Sequence, residues 1–463
     1  MDLMRHAQVA SAARADPIRG DVCRHTWERV MTTPDSAKRV AMACLVGTSI
    51  EWYDFFIYGT ASALVLPKLF FPSVDPAAGT LLSFSTFALA FIVRPIGGLI
   101  FGHFGDRVGR KALLVTTVLL MGTATTLIGL LPTYASIGVA APWLLVVLRV
   151  LQGISVGGEY GGAVLMAVEH SEPGRLGYRG SWVQMGSPAG LILANTAFLL
   201  VTQLPGGALL DWGWRIPFLL GSVLLVVGLV IRLRIPESPR FEEIKEQGDI
   251  AKVPALVVLR QYPGRVLLTA GAYVGTGVVF YGSSIFGLNY GVEKVGFSRS
   301  QVLTIVLIGQ VLAFFAMPVF ATLSDRVGRK AVFLASQVGM GVLVFPWLWL
   351  YGTGSFGWAL VAFLLLYLPY AASYGTMATF FAEVYETRIG YSGLSLGYQL
   401  GTVLGSGFAP IISVALLRET GTVTSVGLYM IAAVAVSIVC AVLLTSAATV
   451  TSPRTLTAPQ RAA

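Results

Sequence analysis

Long apolar runs separated by short polar turns fill most of the chain. Twelve of these runs are long enough to cross a bilayer as helices, at about 20 residues per crossing. In chain order they cover residues 40–66, 79–102, 112–131, 140–168, 180–202, 214–231, 266–290, 302–323, 331–351, 358–382, 392–417 and 427–444. The pattern predicts an all-α membrane protein with 12 transmembrane helices, counted here as spans one to twelve.

A long polar stretch divides six spans from six. We therefore predict a tail at 1–39, a six-helix bundle at 40–231, a linker at 232–265, a second bundle at 266–446 and a tail at 447–463. A sequence repeat supports two pseudo-symmetric bundles. The turn Gly102-His-Phe-Gly-Asp-Arg-Val-Gly-Arg-Lys follows span two, and Ala321-Thr-Leu-Ser-Asp-Arg-Val-Gly-Arg-Lys follows span eight. The membrane side that carries these two turns is called the motif face below.

Composition requires lipid as the solvent. The chain is 55% hydrophobic and 12% charged, against about 25% charged residues in soluble domains, and its mean hydropathy is +0.74. The formal charge of +9 fits basic loops on one membrane side better than a nucleic-acid partner. Basic residues number 25 on the motif face and 5 on the other side. Because basic loops stay inside, both termini are predicted to be cytoplasmic, in a multi-pass protein of the cell membrane.

The motifs together resemble the major facilitator superfamily. The turn at 102–111 matches its loop signature, from which the second copy departs at Ala321, and Arg149-Val-Leu-Gln-Gly is similar to its span-four signature. Further runs resemble the metabolite:proton symporter family of proline/betaine, α-ketoglutarate, citrate and shikimate permeases. They are Glu51-Trp-Tyr-Asp-Phe, Arg94-Pro-Ile-Gly-Gly, Gly157-Gly-Glu-Tyr-Gly-Gly, Gly213-Trp-Arg-Ile-Pro-Phe and Ser392-Gly-Leu-Ser-Leu-Gly-Tyr-Gln. The resemblance implies a transporter whose substrate lies between two bundles.

Charges at the motif face are predicted to form a cytoplasmic gate. An arginine between Asp106 and Glu169 would close the inner side, and Asp325, Arg329 and Glu383 would repeat the arrangement. The resemblance implies such a latch, and the alternative is that these charges only set topology. The full predicted gate comprises Gly102, Asp106, Arg107, Arg110, Glu169, Asp325, Arg326, Arg329 and Glu383.

Four charged residues fall near the middle of the membrane. A rise of 1.5 Å per residue places Glu51, Arg94 and Glu159 roughly 16 to 18 Å from the motif face, with Asp54 one turn further out. The same count places Arg149 near the outer surface. Charges at that depth are expected to face water or a partner. Three carboxylates would then face one arginine of matching depth, which leaves an acid free to carry a proton.

We assign proton coupling to Glu51, Asp54 and Glu159, with Glu51 as carrier and Arg94 as counter-charge or carboxylate-binding group. A static ion-pair network is the alternative. Cation–π contact with aromatic residues would suit a cationic substrate, although aromatic stripes also serve packing. The predicted substrate-binding residues are Arg94, Arg149, Tyr58, Gln152, Tyr281, Tyr370, Tyr374 and Gln399.

The leading functional hypothesis is proton-coupled symport of a small organic acid or zwitterion. The alternatives are a proton-coupled exporter of the same fold and a substrate-sensing transceptor. The sequence contains no nucleotide-binding or metal-binding signature, so we expect no cofactor, no catalysis and a proton gradient as the energy source. It carries no signal of oligomeric state, and a monomer is the default expectation.

Overall fold

The computed structural model describes residues 34–172, 174–205, 207–247 and 254–444. Most of both predicted tails therefore lies outside the described residues. Within these described ranges, twelve helical spans are long and apolar enough to cross a membrane, as predicted. The α-helices of these spans begin and end as follows: α1 Pro34–Leu64, α2 Pro76–Val108, α3 Arg110–Leu130, α4 Ala140–Glu169, α5 Leu176–Thr202, α6 Arg215–Arg234, α7 Pro263–Tyr281, α8 Arg299–Val327, α9 Arg329–Tyr351, α10 Phe356–Ala382, α11 Gly390–Thr402 and α12 Thr424–Leu443. The spans that begin with α7 and α11 continue to Val295 and Thr420.

Helices pack mainly within their own half of the chain. In the first half α1 packs on α5, α2 on α4, and α3 on α4 and α6; in the second, α7 packs on α11 and α12, and α10 on α8 and α9. The two halves meet mainly where α2 lies against α11 and where α5 lies against α8 and α10. The described residues thus form the two predicted six-helix bundles.

Two helices change their winding within the membrane. Helix α7 continues through the π-helical segments Gly282–Phe286 and Gly291–Val295, and α11 continues through Val403–Gly407 to the helix Ala409–Thr420. Single π-helical turns within α-helices often accompany functional sites. In this protein the first of them directly follows Tyr281, a predicted substrate-binding residue.

The predicted linker is partly helical. It contains the helices Pro239–Gln247 and Pro254–Gln261, and its first residues belong to α6, which ends at Arg234. Arg232 therefore lies within a membrane helix rather than in a loop, and it is buried. The apolar run ends at residue 231, but the helical hydrogen bonding continues beyond it, so the sequence pattern ended the span too early.

Small residues bring α2 and α4 close together. A methyl group on Gly157 would overlap the backbone carbonyl of Arg94, and one on Gly97 would overlap that of Ile154. Glycine allows this approach, as at other interfaces between membrane helices. The contact fixes Arg94 against α4, beside the charged residues of α1.

Candidate transport site and gate

A small cavity among the first four helices is lined by most of the charged residues that were predicted to lie at mid-membrane. It leaves room for about one water molecule. Its lining residues are Glu51, Asp54, Phe55, Ala90, Arg94, Met121, Arg149, Gln152, Gly153 and Val156. We call it the charged cavity. Glu51, Asp54, Arg94 and Arg149 are each at most 6% exposed.

The predicted depth of Arg149 is corrected. Its side chain extends one helical turn along α4, where Nη1 donates to Gln152 Oε1 at 2.7 Å, and its guanidinium lies 3.8 Å from the ring centroid of Tyr58. The depth estimate counted backbone positions and ignored the reach of the side chain. Arg149 is thus a second arginine of the charged cavity.

A hydrogen-bonded chain links Arg149 to Asp54. Gln152 Nε2 donates to Thr125 Oγ1 at 2.6 Å, and Thr125 Oγ1 donates to Asp54 Oδ2 at 3.0 Å. Sequence reasoning missed Thr125, because α3 carries several threonines and nothing in the pattern singles this one out. The chain fixes Asp54 in a polar network while Glu51 remains outside it.

Several polar atoms at the charged cavity have no hydrogen-bond partner among the described residues. They are Asp54 Oδ1, Arg94 Nε, and Arg149 Nε and Nη2. The Arg94 guanidinium instead lies 4.2 Å from the ring centroid of Phe91 and 4.8 Å from that of Phe55. Unsatisfied buried polar groups are costly. Two arginines with free N–H groups form a site that an anionic group would complete.

Glu159 lies outside this cavity, so the predicted charge balance was wrong. Its Oε1 pairs with Arg232 Nη2 of α6, and Arg232 Nη1 donates to the Leu114 carbonyl oxygen at 2.5 Å. Three buried carboxylates therefore have three buried arginines near them, counting Arg94 and Arg149. The prediction counted Arg232 as a loop residue, because the span was ended one residue before it.

A second cavity, which we call the aromatic cavity, lies between the bundles. It is lined by Trp52, Ser187, Tyr273, Thr276, Phe280, Tyr281, Tyr370 and Tyr374. The rings of Phe280 and Tyr370 are stacked with centroids 5.0 Å apart. Tyr281 meets Phe91 edge to face at 6.0 Å, beside the Arg94 guanidinium. The two cavities are therefore neighbours, separated by aromatic side chains.

Two of the predicted substrate-binding residues, Tyr58 and Gln399, line neither cavity. Tyr58 contacts the Arg149 guanidinium, whereas Gln399 lies on α11. Its Nε2 faces the backbone carbonyls of Val156 and Gly157 at 3.3 and 3.2 Å, so it bridges α11 to α4 rather than lining either cavity. The sequence of α11 alone could not show that Gln399 faces α4 rather than the tyrosines of α7 and α10. Conversely, four residues line the aromatic cavity and were not predicted to do so: Trp52, Ser187, Thr276 and Phe280.

The motif face carries the same ion-pair arrangement twice. Arg110 lies between Asp106 and Glu169, with N–O distances of 3.7 Å to each. Arg329 lies between Asp325 at 3.2 Å and Glu383 at 2.7 Å. Burial raises the pKa of the Glu383 carboxyl above its ordinary value, against the opposing effect of Arg329. Arg107 and Arg326 are exposed and take no part in these pairs.

Each motif aspartate also reaches the opposite bundle, which was not predicted. The Asp106 carboxylate accepts from the backbone N–H groups of Tyr391 and Ser392, at 3.1 and 3.0 Å. Gly102 allows this approach, since a methyl group there would crowd the Ser392 backbone. The Asp325 carboxylate accepts from Gly177 and Tyr178 at 2.8 and 3.0 Å.

These bonds cap the amino ends of α11 and α5. Carboxylates are favoured there by the free N–H groups and the helix dipole. The motif face is therefore closed by two symmetric contacts.

Two six-helix bundles with an aromatic cavity between them, a charged cavity beside it in the first bundle and a repeated motif on one face are the architecture of a membrane transporter. The chain belongs to the Major Facilitator Superfamily, whose family model matches residues 44–398. It is a multi-pass protein of the cell membrane and a transporter rather than an enzyme.

Relatives in bacteria match nearly full length. The chain is 38% identical to the inner membrane metabolite transport protein YhjE of Escherichia coli (strain K12), over 90% of this chain and 96% of that protein. It is 37% identical to the shikimate transporter of the same strain, over 90% and 98%. It is 32% identical to the strain's proline/betaine transporter, over 89% and 85%.

Solved structures show the same fold. The proton:xylose symporter XylE bound to 6-bromo-6-deoxy-D-glucose superimposes with a TM-score of 0.71, at 17% identity, covering 88% of this chain and 95% of that one. A partially occluded inward-open form of XylE from E. coli gives a TM-score of 0.66, at 17% identity, covering 89% and 99%.

Proposed function

We propose that the protein is a symporter that moves a small organic acid or zwitterion together with a proton. The observation that carries the proposal is the charged cavity, where Glu51 and Asp54 meet Arg94 and Arg149 in the middle of the membrane. The names of the shikimate and proline/betaine transporters support this class of substrate.

Charge balance explains why a proton would accompany an anionic substrate. Two carboxylates and two guanidinium groups leave the empty cavity neutral. A bound carboxylate adds one negative charge, and a buried net charge is costly. Protonation of Glu51 restores neutrality. Glu51 suits this role better than Asp54, because Thr125 donates a hydrogen bond that favours the Asp54 carboxylate.

The aromatic cavity supplies the remaining part of the site. Its rings and hydroxyl groups would hold the body of the substrate, while Arg94, beside Tyr281, would bind a carboxylate. A quaternary ammonium group would find ring faces there. Alternating access follows if the paired gate opens the motif face when the substrate and the proton are both bound.

Proteoliposomes under a proton gradient test the proposal. Substrate-dependent alkalinisation of the outside medium indicates symport, acidification indicates an exporter working by exchange, and binding without flux indicates a transceptor. Substrates are found first by thermal shift against carboxylates, betaines and sugars.

Glu51→Gln identifies the carrier. We expect it to abolish proton-driven accumulation and to spare counterflow exchange, which needs no net proton movement. Glu293→Gln is the control, because Glu293 is exposed and hydrogen-bonded to Asn289. Wild-type accumulation by Glu51→Gln would refute the assignment.

A further inference from the structure

The pair of Glu159 and Arg232 lies apart from the charged cavity and has no place in the site described so far. Both side chains are at most 2% exposed. Glu159 Oε2 has no hydrogen-bond partner among the described residues, so the pair uses only half of the carboxylate. A pair that served only to join α4 to α6 would be expected to use both oxygens.

The pair adjoins the proposed proton carrier. The Arg232 guanidinium packs on α1 at Gly47, where even a methyl group would overlap it. Gly47 lies one helical turn before Glu51, on the same face of α1. Glu51 is close enough to interact electrostatically with Glu159, Arg94, Arg232 and Asp54. Glu159 and Arg232 thus lie next to Glu51, on its side nearer the motif face.

The same pair adjoins the gate. Tyr391 Oη of α11 donates to the carbonyl oxygen of Gly158, the residue before Glu159, at 2.7 Å. The Tyr391 side chain also interacts electrostatically with Glu159 and Arg232. The backbone N–H of Tyr391 is held by Asp106. One residue of the opposite bundle therefore bonds to α4 beside the pair and is also held by the gate.

We propose that Glu159 and Arg232 form an exit station for the coupled proton. The proposal rests on the proposed function. The O–H bond of protonated Glu51 breaks, an O–H bond forms at Glu159 Oε2, and Glu51 is left as a carboxylate. Arg232 then releases the neutral Glu159 and pairs with Glu51.

Release of the proton depends on the gate. When α11 moves away with Tyr391, water from the motif face takes the proton from Glu159, and Arg232 returns to it. Arg232 of α6 is in contact with Glu159. The other titratable groups within electrostatic reach of Glu159 are Cys44, Glu51 and Asp54 of α1 and Tyr391 of α11. Arg232 is thus a positioning residue, which holds Glu159 charged until the proton arrives.

The double variant Glu159→Gln, Arg232→Gln tests the station in proteoliposomes with an identified substrate. Removing both charges leaves no lone buried charge. We expect counterflow exchange close to wild type and proton-driven accumulation slower by about 100-fold, the effect of losing a positioned proton-transfer group. Arg234→Gln is the control, because Arg234 is exposed at the end of the same helix.

A second double variant, Glu159→Leu with Arg232→Met, guards against a folding defect of the first. Normal accumulation in either double variant would overturn the proposal. Loss of exchange and accumulation together in both would assign the pair a purely structural role and would also overturn it. If wild-type protein moves no protons with substrate, the proposed function itself fails, whereas a defect in Glu51→Gln but not in the double variants refutes the station alone.

Discussion

Asp106 Oδ2 accepts a hydrogen bond of 3.0 Å from the backbone N–H of Ser392, a residue 286 positions later in the chain and in the other bundle. Asp325 makes the equivalent contact with Gly177 in the reverse direction, from the second bundle to the first. The repeated motif therefore does more than hold charges at one membrane surface. The motif aspartate binds the end of a helix of the opposite bundle, and the motif arginine pairs with that aspartate and with a glutamate of its own bundle.

Asp106→Asn is expected to favour an open motif face. Hydrogen bonds to a charged group contribute about 2 kcal/mol, so the variant should shift the closed-to-open ratio roughly thirtyfold. Spin labels at Val108 and Val327 measure the opening in a variant without native cysteines. Each position lies two residues after a motif aspartate, and the two side chains are 59% and 61% exposed. The distance distribution between the labels should lengthen.

The matched variant Asp325→Asn should produce the same lengthening, since its contacts are equivalent. Asp211→Asn is the control, because Asp211 is exposed near α6 and away from the motif turns. Unchanged label distances together with normal transport kinetics in Asp106→Asn would mean that the motif charges only set topology.

Arg94→Lys is expected to weaken substrate binding although the charge is kept. Lysine cannot place a planar guanidinium between the rings of Phe55 and Phe91, and it loses paired N–H donors for a carboxylate. The expected loss is about 2 kcal/mol, or roughly thirtyfold in affinity, measured by calorimetry with an identified substrate. Arg215→Lys, which removes a similar stack on Trp214 at 4.5 Å, should bind normally, and equal affinity in both variants would exclude Arg94 from binding.

The sequence predicted the twelve helices and the two bundles because each crossing needs a fixed length of apolar residues. It predicted an arginine between Asp106 and Glu169, because the motif and its acidic partner occur in both halves, and the structure identifies this arginine as Arg110. It did not place the bonds from Asp106 to Tyr391 and Ser392, since contacts between bundles depend on how the bundles dock. The orientation of the termini remains a prediction.

The charged site was predicted in part. Helical spacing placed Glu51 and Asp54 together, because residues three apart share a face. Spacing along one helix shows which residues share a face but not which neighbouring helix that face contacts. For this reason Thr125 was missed and Gln399 was assigned to the substrate site. Arg232, the ion-pair partner of Glu159, was missed because the predicted span ended one residue before it.

Acidification is expected to destabilise the protein through His170. Burial at the end of α4 lowers the pKa of this imidazole below its ordinary value near 6.5. A base with a depressed folded-state pKa contributes stability that is present above about pH 6.5 and lost as the pH falls toward its folded pKa. The melting temperature of wild type should therefore fall more steeply between about pH 7 and pH 5 than that of His170→Gln. Parallel curves would assign the acid sensitivity to other groups.

Gly157→Ala is expected to disturb the site by separating two helices. The added methyl group would meet the Arg94 carbonyl oxygen of α2, and overpacking of this kind costs about 1 to 3 kcal/mol. The displacement moves Arg94 as well, so the melting temperature and the substrate affinity should fall together. Gly357→Ala is the matched control, since an added methyl group at this exposed helical position meets nothing within 4 Å, and it should stabilise the protein slightly. If the two variants melted alike, close packing of α2 on α4 would not be what positions Arg94.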